Sequence, residues 1–336
     1  MLPRLQPLLS SKAAPLTVTA LAAGTLLGLG GWLWMSAEDT IARRRLRTPS
    51  VTVSVTHPGQ APVAARPARK APPQPAASDP SLVESSTFGA LPRIGKKGQK
   101  PWQAYAAPAS KTKGRRLTVI LHGAGLDKAF LESALARLPA PVTFAFLPYG
   151  ADLDISIARV RAARHEALML APMEPKSFPY DDPGGRALML EYDDTQNQDR
   201  LLWAMGRGIG YTGIMPLFGD AFTETPWRID PVLETVAARG LLFVDASGEK
   251  GQAVTSARAE ARAVPWLGAN SVLLDARDRR TLQRGLEEAL KKKRAVVVAP
   301  FLPVTVQVLA RDLPALGKDG VTLTPVSAVA AASLKK

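Results

Sequence analysis

The feature that most constrains the fold is an alternation of short apolar runs with stretches of helical spacing, which begins at Leu117 and continues almost to the end of the chain. The intervening stretches, such as LDKAFLESALARL and RRTLQRGLEEALKKK, repeat apolar residues every three or four positions. Strands that alternate with helices pair in parallel and are apolar throughout because both faces are covered. The predicted strands are LTVIL (117–121), VTFAFL (142–147), ALMLA (167–171), TGIMPLF (212–218), LLFVD (241–245), SVLLD (271–275), AVVVA (295–299) and VTLTP (321–325).

This pattern predicts an α/β domain over residues 115–330. Seven or eight strand-helix units in a segment of that length favour a closed (β/α) barrel over an open, doubly wound sheet. In such a barrel the loops at the carboxyl ends of the strands build the active site. Candidate site residues are therefore sought at the strand ends.

The N-terminal region predicts a membrane anchor. After a short tail, residues 1–15, the segment Leu16–Met35 runs for 20 residues without a charge. At 1.5 Å per residue a helix of that length spans about 30 Å, the thickness of a hydrocarbon core. The alternative is a cleaved signal peptide, because small residues follow Met35. The length of the apolar run favours an uncleaved, single-pass anchor.

Residues 48–113 are rich in Pro, Ala, Ser and Lys, which predicts a disordered linker. The formal net charge of +14 is concentrated before the barrel: residues 1–116 carry 17 Lys and Arg against four acidic residues. From residue 117 onward, 26 basic residues face 25 acidic ones, so nucleic-acid binding by the folded domain is not expected. The absence of cysteine excludes disulfides and thiolate metal sites.

Several phrases along the predicted domain resemble those of a known family. They are TFAFLPYG (143–150), RHEALMLAPMEP (164–175), DDPGGRAL (181–188), GIMPLFGDAFT (213–223), GLLFVDA (240–246), NSVLLDA (270–276) and VAPFLPVT (298–305). In this order and spacing they resemble the divergent polysaccharide deacetylase family, relatives of the metal-dependent carbohydrate deacetylases. The resemblance implies a barrel whose strand ends hold a divalent metal through carboxylates and imidazoles. It also implies hydrolysis of acetyl groups on a polysaccharide.

The chain departs from the family at the positions that the resemblance assigns to the metal. An acidic pair is replaced by His122 and Gly123, and two strand-end histidines are replaced by Leu170 and Leu217. A Gly-His-Pro phrase on the last long strand is replaced by residues 299–301, Ala-Pro-Phe. The chain has only three histidines, and His165 is predicted to be structural because it precedes a strand. We therefore expect no metal cofactor and no standard deacetylase activity.

Two catalytic alternatives remain. His122, Asp245 and Asp275 all lie at predicted strand ends and together would rebuild a site for a divalent metal such as zinc, with Glu174 as an acid or base. The HGAG motif at His122 also matches the oxyanion loop of α/β-hydrolases. No serine, however, has glycine two positions away on both sides, and no histidine follows His165, which disfavours a serine hydrolase.

The same strand-end loops carry aromatic and acidic side chains of the kind that bind sugars. The candidate substrate-binding residues are Tyr180, Phe218, Trp227, Asp220 and Asp275. The sequence thus predicts an inner-membrane protein with a periplasmic barrel that binds an envelope polysaccharide or a peptidoglycan-type glycan, or serves as a scaffold. An active deacetylase with a rebuilt metal site is the alternative.

Overall fold

A computed structural model describes residues 78–110 and 114–335 of the 336-residue chain. The predicted tail (1–15), the apolar segment Leu16–Met35 and the first part of the predicted linker lie outside the described residues. None of the helices in residues 78–110 and 114–335 has the length and hydrophobicity needed to cross a bilayer.

Eleven strands form in the described residues, and every predicted strand is among them. Two short strands near residue 90 form an antiparallel hairpin, and the other nine belong to one parallel sheet. The strands are β1 Val83–Ser86, β2 Gly89–Pro92, β3 Arg115–Ala124, β4 Thr143–Phe146, β5 Glu166–Met173, β6 Gly213–Phe218, β7 Leu242–Asp245, β8 Trp266–Gly268, β9 Ser271–Val272, β10 Arg294–Pro300 and β11 Val321–Leu323.

Helices connect the strands of the parallel sheet and cover its outer face. Several begin at an aspartate that accepts a backbone N–H of the first turn, as Asp127 does from Phe130 at 2.8 Å. The helices are α1 Pro101–Ala104, α2 Lys128–Arg137, α3 Leu153–Ala162, α4 Asp194–Met205, α5 Asp220–Thr223, α6 Pro226–Ala238, α7 Glu249–Ala261, α8 Arg279–Leu290, α9 Pro303–Lys318 and α10 Val326–Ala330.

The parallel sheet curls into a barrel that stays open along one seam, whereas the sequence predicts a closed one. The strand order is β8-β7-β6-β5-β4-β3-β10-β9, with β11 beside the start of β3. Only residues 269–270 separate the terminal strands β8 and β9 along the chain. The side chain of Asn270 occupies the edge of β10, accepting from Val296 N at 2.9 Å and donating to the Arg294 carbonyl at 2.8 Å. Asn270 and β9 thus occupy the edge of β10, and β8 does not pair with it.

Alternate strand residues face the two sides of the barrel wall, as a period of two requires. Residues such as Phe144, Phe146 and Phe243 point outward and pack under the helices. The inward set is closed off at the N-terminal ends of the strands, the base of the barrel, by Trp102 and by α10. The inward set includes Ile120, Ala145, Leu168, Leu170, Met215, Leu217, Leu242, Val244, Leu267, Val296 and Val298.

The prediction that residues 48–113 are disordered is wrong for residues 78–110. This segment forms the β1–β2 hairpin and α1, and it buries Leu82, Leu91 and Trp102. Arg239 fastens the hairpin to the domain by donating to the Glu84 carboxylate and to the Pro92 carbonyl, both at 2.8 Å. A few apolar residues spaced among prolines and lysines therefore supply enough burial to order the segment.

A buried carboxylate joins three segments at the base of the barrel. Glu166, the first residue of β5, accepts from Ala107 N at 2.9 Å, from Ser327 N at 3.1 Å and from the Ser327 hydroxyl. Burial raises the pKa of this carboxyl, and the hydrogen bonds oppose that shift. The neighbouring His165 accepts from Val142 N at 3.0 Å, which confirms its structural role.

Candidate functional site

The candidate site is the mouth of the barrel, the end at which the strands reach their C-termini. His122 lies there on the inward face of β3, since it is two residues beyond the inward Ile120. Leu170 and Leu217 are buried on the same inner wall. Pro300 pairs with His122 across the β3–β10 ladder and, by alternation with Val298, also points inward. The positions that the family resemblance assigns to metal ligands thus do converge on one place.

His122 is the one titratable side chain among these four inward residues. Its Nε2 is buried and has no hydrogen-bond partner, and burial lowers the pKa of the imidazole to about 4. The ring is therefore neutral at pH 7. The backbone is held firmly, because the His122 carbonyl accepts from Phe301 N at 2.8 Å. The histidine is thus a fixed, uncharged group in apolar surroundings.

The glycines that follow His122 have backbone roles. Gly123 and Gly125 have φ angles of +98° and +105°, which L side chains rarely adopt. A Cβ on Gly125 would also approach Leu153 Cδ2 to 2.8 Å. The HGAG motif therefore makes a tight turn from β3 into α2 that requires glycine at both positions.

Asp245 lies on the opposite side of the barrel wall from His122. It is fully buried at the end of β7, where its Oδ1 accepts from Ser247 N at 2.7 Å and its Oδ2 accepts from the Thr255 hydroxyl of α7. The indole N–H of Trp266 donates to the same hydroxyl at 3.1 Å. These bonds commit the carboxylate to the packing of α7 on the sheet.

The predicted metal trio of His122, Asp245 and Asp275 is not brought together. Asp275 is exposed in the loop after β9, and Asp245 faces α7. Within residues 78–110 and 114–335, no group of three or more His, Cys, Asp or Glu side chains is placed to hold a metal ion. One inward imidazole beside Leu170 and Leu217 does not fit a divalent metal that needs several nitrogen or oxygen ligands.

Two further predicted residues hold the long loop, residues 174–193 between β5 and α4. Glu174 accepts from Leu190 N at 2.6 Å, and Asp220 accepts from Lys176 N at 3.0 Å. An ion pair between Lys176 and Glu224 ties the loop to the segment after β6. The loop is thereby fixed across one side of the mouth, and the carboxylates of Glu174 and Asp220 have structural partners.

Aromatic side chains stand exposed around the mouth. Tyr180, on the long loop, is 95% exposed, and Trp227, at the start of α6, is 70% exposed. Phe218 ends β6 in a left-handed conformation with φ +61° and is 46% exposed. Tyr149 donates to the Pro183 carbonyl at 2.8 Å and packs on Trp203, which supports the loop from below. The predicted sugar-binding aromatics are therefore accessible.

Sequence reasoning overlooked the polar residues that support this end of the domain. Asn197 and Arg228 bind backbone atoms of the long loop at Met189 and Leu190. At the base, Glu166 was overlooked in the same way. In the sequence, each of these residues is recognisable only as a polar residue on an otherwise apolar strand or helix face. The sequence does not show which backbone group it binds.

Comparison with known proteins gives one family match. The family model described as divergent polysaccharide deacetylase matches residues 119–330. No curated protein matches the chain. Among solved structures, the chain is similar to an uncharacterized protein from Agrobacterium tumefaciens, with 29% identity and a TM-score of 0.67 over 72% of this chain and 99% of that one. The catalytic domain of a peptidoglycan N-acetylglucosamine deacetylase from Eubacterium rectale has 13% identity and a TM-score of 0.42 over 66% and 93%.

Proposed function

The chain belongs to the divergent polysaccharide deacetylase family, and on that premise we propose that it is an inner-membrane protein whose periplasmic barrel binds an envelope polysaccharide. Binding takes place at the mouth of the barrel. The barrel does not remove acetyl groups by the standard metal-dependent reaction. The anchor is the segment Leu16–Met35. A peptidoglycan-type glycan is the ligand class that best matches an envelope location.

The inner wall of the mouth is the observation that carries this proposal. Metal-dependent deacetylation needs a Lewis acid to polarise the acetyl carbonyl and to lower the pKa of a bound water. The chain offers His122 beside Leu170, Leu217 and Pro300, and an aliphatic side chain has no ligand atom. Asp245, one of the two carboxylates predicted for a rebuilt metal site, instead accepts hydrogen bonds from Thr255 and Ser247.

The rim of the mouth supports glycan binding. Sugar rings present apolar C–H faces that pack on aromatic rings, while their hydroxyls bind carboxylates and amides. Tyr180 and Trp227 offer exposed rings, and the exposed Asp181 and Asp182 follow Tyr180 directly. The ordered long loop holds these groups in place before a ligand arrives, which lowers the entropic cost of binding.

A hydrolytic function is the second candidate, and His122 is the observation that favours it. A neutral imidazole with an unpartnered Nε2 at a barrel mouth is able to bind a metal or accept a proton. Under this alternative the chain releases acetate from an acetylated glycan, and His122→Ala abolishes the release.

Sedimentation of the detergent-solubilised full chain with insoluble peptidoglycan tests the proposal, with acetate measured in the supernatant. We expect binding without acetate release. Tyr180→Ala and Trp227→Ala should each weaken binding several-fold, because each removes a stacking surface. Leu334→Ala is the matched control: it also removes an exposed apolar side chain, but it lies beyond α10, which closes the base. Acetate release that depends on His122, or binding insensitive to both aromatic variants, would contradict the proposal.

A further inference from the structure

The base of the barrel carries a cluster of cations, which we call the basic rim. Arg115 and Arg116 open β3, and three lysines connect α8 to β10, which begins with Arg294. Arg294 pairs with Arg116 across the β3–β10 ladder, and Arg116 N donates to the Lys293 carbonyl at 3.1 Å. The basic rim consists of Arg115, Arg116, Lys291, Lys292, Lys293 and Arg294.

Few acidic groups neutralise the basic rim. Among the ion pairs of the described residues, only that of Lys291 with Glu288 involves it. Arg115 and Lys292 donate instead to the backbone carbonyls of Asp319 and Asn270. Lysines that follow a helix also interact favourably with its C-terminal dipole, which accounts for Lys291. The helix dipole does not account for Arg115 and Arg116, since these residues begin a strand.

The long loop at the mouth, at the opposite end, has the opposite charge. The long loop, residues 174–193, contains five acidic residues against Lys176 and Arg186. β3 spans ten residues from the base to the mouth, or about 30 Å at 3.3 Å per residue. This separation is roughly four Debye lengths at physiological ionic strength. An anionic surface in contact with the base would therefore attract the basic rim, while its electrostatic potential at the mouth would be almost completely screened.

The chain reaches the domain at the same end. Ser78, the first described residue, has its Oγ 3.4 Å from Arg161 Nη1, close to the C-terminal end of α3. A helix that precedes a parallel strand ends at the base, where that strand begins. Residues 1–77 contain the apolar segment Leu16–Met35 and nine basic residues against two acidic ones. The described chain thus begins at the end of the barrel that carries the basic rim.

We propose that the basic rim docks on the anionic lipid headgroups of the membrane that holds the anchor, so that the mouth faces away from the bilayer. The headgroups attract the six cations of the rim, and the acidic long loop disfavours the inverted orientation. Docking therefore orients the mouth toward the envelope polymer. The inference takes the anchor from the proposed function but does not depend on glycan binding.

Energy transfer from single labels to the membrane tests the orientation in the full chain. Since the chain has no cysteine, Ala315→Cys near the end of α9 gives a unique label close to the base, and Tyr180→Cys gives one at the mouth. Each labelled chain is reconstituted in vesicles that contain a headgroup acceptor dye. One set of vesicles is phosphatidylcholine alone, and the other contains phosphatidylglycerol as well.

With phosphatidylglycerol, transfer from the base label should exceed transfer from the mouth label, and high salt should remove the difference. Replacing Lys291, Lys292 and Lys293 by Gln should lower the ratio of docked to undocked domain roughly a hundredfold, because each cation near an anionic surface contributes several-fold. Replacing Arg279, Arg280 and Arg284 by Gln is the matched control: it removes the same charge from the N-terminal half of α8, away from the basic rim, and should preserve docking.

Equal transfer from the two labels on anionic vesicles, or an equal loss in the control variant, would overturn the proposal. Rim-dependent binding of duplex DNA at a salt concentration that abolishes docking would also overturn it and would identify a nucleic-acid partner. Failure of the full chain to remain with phosphatidylcholine vesicles would contradict the anchor in the proposed function. That result is distinct from a loss of orientation on phosphatidylglycerol.

Discussion

Glu166 and His122 are ionisable side chains that face into the barrel, one near each end, and their surroundings differ. At the base, Glu166 is fully buried and accepts hydrogen bonds from Ala107 and Ser327, which come from opposite ends of the domain sequence. At the mouth, the buried Nε2 of His122 has no partner. Buried polar groups are normally hydrogen-bonded, and an unpaired one costs stability. Glu166 therefore joins separate segments of the base, whereas His122 is a side chain at the mouth whose Nε2 makes no hydrogen bond to the described residues.

Replacing Glu166 should break the base and produce the largest effect. Glu166→Leu leaves the N–H groups of Ala107 and Ser327 without acceptors, and we expect the free energy of unfolding to fall by about 3–5 kcal/mol. Urea denaturation measures this loss. Glu166→Gln keeps one acceptor oxygen and should lose less, and the exposed Glu260→Ala serves as the control. Equal effects of Glu166→Leu and Glu260→Ala would contradict a bridging role at the base.

Asp245 and Asp275 were predicted to share one site, and their replacement separates a structural carboxylate from a free one. Asp245→Ala removes the acceptor for Thr255 and Ser247 and should lower the free energy of unfolding by about 2 kcal/mol. Asp275→Ala, at an exposed position, should change it by less than about 0.5 kcal/mol. Denaturant midpoints of the two variants test the difference. Similar costs would place both carboxylates in equivalent environments, contrary to the structure.

Replacing His122 at the mouth should have the opposite effect on stability from replacing Glu166 at the base. Leucine removes the unpartnered nitrogen and fits beside Leu170 and Leu217, so we expect the free energy of unfolding at pH 7 to rise by about 1 kcal/mol. A gain of stability on removing a polar residue is characteristic of sites that evolved for a ligand. A loss of more than about 1 kcal/mol would show that His122 has a structural partner.

The pH dependence of stability follows from the two histidines of the domain. Burial lowers the pKa of both His122 and His165 to about 4, whereas the unfolded chain titrates near 6.5. The unfolded state thus binds more protons between these values, and stability falls as the pH drops from about 6.5 to 4. Stability measured at intervals across this window should fall less steeply in His122→Leu than in the unsubstituted chain, because one of the two histidine contributions is removed. An unchanged slope would mean that His122 titrates normally in the folded chain.

Eight of the nine strands of the parallel sheet could be predicted from sequence because each lies in an apolar run, and the family could be predicted because its phrases keep their order. The short strand β8, Trp266–Gly268, was not predicted. The side of the barrel wall that a strand-end residue faces could not be predicted. Asp245 follows the inward Val244 and therefore points outward, so it lies behind the wall that carries His122. A one-residue offset at a strand end decides between a site and a packing position. The ordered hairpin at residues 83–92 was missed because prolines and lysines surround its few apolar residues.

Calorimetric titration of zinc into the metal-free full chain tests most directly whether the mouth holds a metal site. His122→Ala, titrated in parallel, reports whether the one inward imidazole takes part. We predict no stoichiometric binding to either protein, because Leu170, Leu217 and Pro300 occupy the ligand positions. One zinc ion bound per chain, lost in His122→Ala, would contradict the account.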